Sequence, residues 1–190
     1  SGSLPQIVQA GHPVLRAQAL PFAGQVSAHD LAALIAIMTE TMRAAPGVGL
    51  AAPQVGVGKR VFVWMYDDQD VAPAQGVAIN PELWVTPQEP GLPDEEEVEG
   101  CLSFPGERFA LRRSSRALLR AQDIDGKPFE ITADGWFARI LQHEFDHLNG
   151  LLYVDRLVHP ESRGAQKAER KNGWGKPGLS WLPGVDDLEG

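Results

Sequence analysis

One cysteine, Cys101, is all the thiol chemistry that these 190 residues contain. An internal disulfide framework is therefore excluded, and Cys101 must be a buried apolar group, a reactive thiol or a metal ligand. Basic residues are also scarce: 17 Lys and Arg stand against 25 Asp and Glu, a formal charge of −8. Binding along a duplex backbone relies on Lys and Arg to displace counterions, so no sequence-specific nucleic-acid partner is expected. No apolar run approaches the ~20 residues needed to span a bilayer, and no membrane partner is expected. No internal repeat is visible. The sequence does have 43 % apolar and 22 % charged residues, the balance of a globular chain long enough for one ordinary core. Its opening Ser1-Gly2-Ser3 lacks an initiator Met and reads as a vector-derived scar, ahead of which a targeting segment could have been lost.

Residues 27–44 read as an amphipathic helix, with Ser27 as N-cap, Asp30 three residues on, and Leu31, Leu34, Ile35, Met38 and Met42 at helical spacing. Pro46 and Gly47 end it. Residues 60–66 and 76–80 predict strands, the second stopped by Pro81, and residues 87–99, with three prolines and an acidic run at 94–97, predict a solvated loop. Two further strands, 116–124 and 127–132, flank an Asp125-Gly126 turn signal. A helix is expected from an Asp134 cap to Asn149-Gly150, and a short polar helix over 161–172. The Gly-, Pro- and Trp-containing tail after residue 173 reads as irregular chain on the surface. Helix, then strands, then helix favours an α+β fold over an alternating α/β sheet.

The sharpest chemical signal is His143-Glu144-Phe145-Asp146-His147. Positions i and i+4 of a helix share one face, so both imidazoles can reach one ion, while Glu144 can reach a water on that ion. A catalytic site usually needs a third protein ligand. The H-E-x-x-H-x-x-G-x-x-H pattern fails at its last position, where Tyr153 stands. Glu169 is the glutamate that a gluzincin-like peptidase would use, and Cys101 offers a thiolate suited to zinc or ferrous iron. Two His and one Cys also suit blue copper with an axial Met from Met38, Met42 or Met65, but electron transfer has no use for Glu144. A metal-binding module without turnover is a further alternative.

Three segments together resemble the signature motifs of the peptide deformylases, in the family's order: Gly47-Val48-Gly49-Leu50-Ala51-Ala52-Pro53-Gln54, Glu99-Gly100-Cys101-Leu102-Ser103 and Gln142-His143-Glu144-Phe145-Asp146-His147-Leu148. Gly11-His12-Pro13-Val14-Leu15-Arg16 is similar to the family's N-terminal G-D-P-x-L-R, with His12 in place of the aspartate. The resemblance implies an α+β enzyme whose antiparallel or mixed sheets pack around a central helix carrying H-E-x-x-H. It implies a catalytic domain over residues 4–158 and a C-terminal extension over 159–190. The implied activity is hydrolytic removal of the formyl group from the N-terminal formylmethionine of new polypeptides, with release of formate.

By motif position, the resemblance makes Cys101, His143 and His147 ligands of one divalent ion, Fe²⁺ by family habit, with Zn²⁺, Ni²⁺ or Co²⁺ as substitutes. It makes Glu144 the general base and then acid, and gives Gln54 and the Leu102 N–H the formyl oxygen. Substrate contacts fall on Gly47, Val48, Gly49 and Arg108, and Arg113 would pair with Glu99 to orient the cysteine loop. Val48, Trp136 and Ile140 would line an apolar pocket for the unbranched thioether side chain. Arg139 stands where an apolar residue is more usual and is expected at the pocket rim, its stem buried and its head in water. The resemblance further implies a bacterial cytoplasmic location, or an organelle if a targeting segment was removed, and a transient ribosome contact.

Overall fold

The computed structural model describes residues 4–23, 27–68 and 73–188, so the vector-like residues 1–3 lie outside it. In chain order the elements are β1 (Ile7–Val8), α1 (Ala28–Ala44), β2 (Gly49–Ala51), β3 (Val61–Met65), β4 (Gln75–Val85), β5 (Val98–Gly100) and β6 (Arg108–Ala110). There follow β7 (Arg116–Gln122), β8 (Pro128–Asp134), α2 (Gly135–Leu148), α3 (Glu161–Asn172) and β9 (Ser180–Trp181). Five strands form one sheet in the order β2-β3-β4-β7-β8, while β5-β6 and β1-β9 form two small ribbons. The pairings between these strands are antiparallel, and with three helices the class is α+β.

Strand alternation explains how one sheet serves two helices. Val61 and Val63 of β3 pack with Ile35, Met38 and Met42 of α1, whereas Phe62 and Trp64 pack with Phe137, Ala138 and Leu141 of α2. Each of these large side chains is worth roughly 1.5–3 kcal/mol when taken fully from water. The first helix begins where expected, with Ser27 Oγ accepting the Asp30 N–H at 3.3 Å. The polar helix α3 occupies 161–172 and ends on Gly173 in the left-handed region.

Five local expectations are corrected. Pro81 does not stop β4: the register slips between Ile79 and Glu82, so the missing N–H falls in a bulge where no ladder partner is needed. Asn80, at φ 49°, ties that bulge to Phe22 by accepting its N–H (2.8 Å) and donating to its carbonyl (2.9 Å). The hairpin loop runs over 123–127 rather than two residues, because Asp123 Oδ1 accepts the N–H groups of Asp125 and Lys127, both at 2.9 Å. Asp134 holds the N-cap position of α2, but its carboxylate accepts from Arg116 Nε at 2.7 Å instead of capping the helix.

The fourth correction concerns the tail, which is not surface chain. Trp174 is 4 % exposed and Trp181 1 %, and Ser180–Trp181 pairs with Ile7–Val8. Each indole buries a large apolar area while its N–H finds an acceptor: Gln9 Oε1 for Trp174 and Leu102 O for Trp181, both at 2.8 Å. The 87–99 loop also ends earlier than expected, since Val98 and Glu99 already belong to β5.

Candidate metal centre

Helix α2 lays His143 and His147 one turn apart, and Cys101 follows directly on β5. Cys101 Sγ and one nitrogen of each imidazole lie within 4.8 Å of one another, all three residues being buried. The sulfur is 3.4 Å from His147 Nε2. No other group of three His, Cys, Asp or Glu among the described residues converges in this way, and Glu169 lies apart on α3. A thiolate with two imidazoles suits a divalent transition metal, and three ligands leave a fourth corner for solvent or substrate.

The second coordination layer is built to fit. His143 Nδ1 lies 2.7 Å from Glu99 Oε1, which leaves Nε2 for a cation. Glu99 also accepts from Arg113 Nε and Nη2, both at 2.8 Å, and from Arg139 Nη1 at 2.9 Å. Arg113 Nη1 reaches on to Asp146 Oδ2 at 3.1 Å, and Arg156 clamps the same carboxylate at 2.6 and 2.8 Å. Arg113 thus bolts the strand before Cys101 to the helix that carries both histidines. Burial opposes charge on Glu99, yet His143 and Arg113 hold its carboxyl well below the usual range.

Glu144 has a different environment. Its Oε1 is buried with no hydrogen-bond partner among the described residues, and burial pushes the carboxyl up to about 7 against the pull of His143. Burial also pushes His147 below its ordinary value, which favours the neutral, ligating imidazole. His143 stays above its ordinary value because Cys101 and Glu144 outweigh its own burial. A side chain at Gly49 would run into the Glu144 carboxylate, and one at Gly47 would meet Leu102 Cδ1 at 2.9 Å. Only glycine lets this backbone pass so close.

These groups open into a pocket of about 690 Å³. Gly47, Val48 and Gly49 form one wall, Gln54, Cys101, Leu102 and Arg108 another, and Trp136, Arg139, Ile140, His143 and Glu144 of α2 the third. Val48 and Trp136 are about half exposed, at 50 % and 45 %, which sets them at the lip. Gln54 is buried, its Oε1 accepting the Ala51 N–H at 3.0 Å and its Nε2 facing Ser103 Oγ (3.3 Å) and Cys101 Sγ (3.6 Å). A second hollow of about 500 Å³, over Glu82, Arg120 and Glu130, has no such ligand set.

Arg139 corrects an expectation. It lines the pocket, but only 8 % of it is exposed, and its head is not in water. Nη1 donates to Glu99 and to Leu111 O (2.7 Å), and the guanidinium lies over the Trp136 ring at 4.9 Å. The carboxylate at Glu99 supplies the attraction that draws it inward. The sequence alone gives Asp146 no role and leaves that of Trp181 open. Asp146 sits inside the histidine motif, a signal that was there to be read, but nothing local to Trp181 links it to Leu102.

Comparison with known proteins places the chain among relatives. The polypeptide deformylase family profile matches residues 4–163. A peptide deformylase of Tropheryma whipplei is 45 % identical over 197 aligned positions, covering 96 % of this chain and 94 % of its own. One from Mycolicibacterium smegmatis is 50 % identical over 163, covering 82 % and 80 %. Among solved structures, the Synechococcus elongatus peptide deformylase in complex with actinonin superposes with a TM-score of 0.76 at 33 % identity, over 91 % of this chain and 90 % of the other. The Legionella pneumophila enzyme gives 0.74 at 37 % identity, over 90 % and 96 %.

Proposed function

The chain belongs to the polypeptide deformylase family, and from that premise we propose how its own residues perform the reaction. It is a metal-dependent hydrolase that removes the N-formyl group from newly made polypeptides. The gluzincin-like alternative is not favoured, since Glu169 is not with the ligand cluster.

In our reading Cys101, His143 and His147 hold one divalent ion, Fe²⁺ in the cell, with Zn²⁺, Ni²⁺ or Co²⁺ able to replace it. When bound, such an ion lowers the pKa of water from 15.7 toward ~7 and so supplies a nucleophile at neutral pH. Glu144 takes the proton as the water oxygen bonds to the formyl carbon. It then gives the proton to the nitrogen as the C–N bond breaks, leaving formate and a free amine. Gln54 Nε2 and the Leu102 N–H donate to the formyl oxygen as charge builds there. Strand β2 is the outermost strand of the five-stranded sheet, so Gly49 and the Gly47-Val48 segment leading into it offer an open edge to an extended peptide.

Arg108 contacts the peptide backbone, and Trp136, Ile140 and the stem of Arg139 receive the formylmethionine side chain. Helix α2 is the central helix of the domain, carrying H-E-x-x-H. We assign residues 4–158 to the catalytic domain and 159–190 to a C-terminal extension, with work in the bacterial cytoplasm and transient ribosome contact. No described helix is long and apolar enough to cross a membrane.

The observation that carries this mechanism is a Glu144 oxygen without a partner among the described residues, on a side chain that lines a pocket beside a Cys-His-His cluster. The test is formate release from a formyl-Met peptide, with metal content, for the wild type and Glu144→Ala. Full metal with at least a hundredfold loss of turnover in the variant supports it; an active Glu144→Ala overturns it.

A further inference from the structure

Cys101 and Leu102 open a tight turn that is closed by Phe104 N–H donating to Cys101 O at 2.9 Å. In such a turn the central peptide, here Leu102–Ser103, is the one free to rotate between turn types. Its oxygen is held: Trp181 Nε1 donates to Leu102 O at 2.8 Å, from an indole only 1 % exposed. The next carbonyl is held as well, since Ala10 N–H donates to Ser103 O at 2.9 Å. Ala10 and Trp181 belong to the two chain ends, which are joined by the β1-β9 pairing and by Gln9 N–H donating to Leu179 O at 2.9 Å. The second tail tryptophan, Trp174, donates to Gln9 Oε1 and packs on Phe104 at 5.1 Å between ring centroids, but makes no bond to the turn's central peptide.

We propose that Trp181 is a positioning residue of this site: through Leu102 O it fixes the turn that presents both the Cys101 sulfur and the Leu102 N–H. The inference rests on the deformylase reading, which gives those two groups their work. Leu102 stands between two peptide planes, one held at Cys101 O and one at Leu102 O. The Leu102 N–H shares the first plane with Cys101 O, and its aim stays fixed only while the turn that the second plane braces stays closed. Releasing the second plane leaves the donor in place but loosens its aim, so the cost falls below the ~10²–10³ that outright loss of an oxyanion donor brings, at about tenfold or somewhat more in kcat. Binding along the β2 edge is untouched, so KM should stay within about twofold.

The test compares Trp181→Phe with Trp174→Phe, each removing one indole N–H of the same tail. The rates are taken on a formyl-Met tripeptide at matched iron content. Trp181→Phe should lose at least tenfold in kcat at unchanged KM and full metal, and Trp174→Phe less than threefold. Equal losses in both variants, or full activity of Trp181→Phe, would overturn the proposal. A second measurement needs no variant. Coupling between the Trp181 bond and the metal-bearing turn must be reciprocal, so loading the metal should slow hydrogen exchange at the Trp181 indole in the wild type. Slowing at least tenfold beyond that of Trp174 supports the proposal, and equal slowing refutes it. If the wild type releases no formate, the deformylase reading fails, and this exchange comparison still decides for or against Trp181.

Discussion

Two regions of the molecule supply the candidate metal-binding groups, and they solve the placement problem differently. Helix α2 sets His143 and His147 one turn apart by its own backbone geometry, and its apolar face against Phe62 and Trp64 keeps the helix still. The Cys101 turn has no such periodic support. It is held by groups from elsewhere: Gln54 at Ser103 Oγ, Ala10 at Ser103 O and Trp181 at Leu102 O. Arg113 joins the regions by binding Glu99 next to the turn and Asp146 on the helix. A ligand on a helix needs one element to fold; a ligand on a turn needs several distant ones to arrive together.

Removing the bridge should do the most damage. Arg113→Met strips a buried cation from both Glu99 and Asp146, and loss of a buried partner costs about 3–5 kcal/mol. Urea unfolding should show a drop near the lower figure, because Arg139 and Arg156 still answer the two carboxylates. A drop under about 1 kcal/mol would mean that the two regions are not coupled through this residue.

A change at Gln54 should cost chemistry most and some stability as well, since its buried amide also serves the Ala51 N–H and Ser103 Oγ. Gln54→Ala takes away one donor to the formyl oxygen, so kcat should fall by ~10²–10³ with a smaller change in KM. A fall of less than tenfold would remove Gln54 from the reaction. On the helix side, the start of α2 offers the mildest probe. The Asp134 carboxylate is engaged with Arg116 and not with the helix, so Asp134→Ala should leave both Tm and kcat where they are. A lowered Tm would restore Asp134 as a working cap.

The same contrast explains what could be read from the chain. The histidine pair was legible because an i, i+4 spacing is a local fact. Cys101 was legible because it is the lone thiol. The Arg113–Glu99 pair was anticipated through the family motif, and it forms. Arg139 was misjudged because its position on α2 is local, whereas Glu99, which draws it inward, comes from β5. Strands β5 and β6 have three residues each, too few to show a period of two. The tail reads as surface chain because Gly and Pro dominate it locally. Its two tryptophans are buried by Gln9, Phe104 and Leu102, contacts that span up to 165 residues of chain.

The most direct test of the central claim is X-ray absorption of the metal-loaded enzyme, beside Cys101→Ser. One sulfur and two imidazole nitrogens around a single ion are predicted in the wild type, with the sulfur lost in the variant. A wild-type spectrum containing only nitrogen and oxygen neighbours would contradict the account.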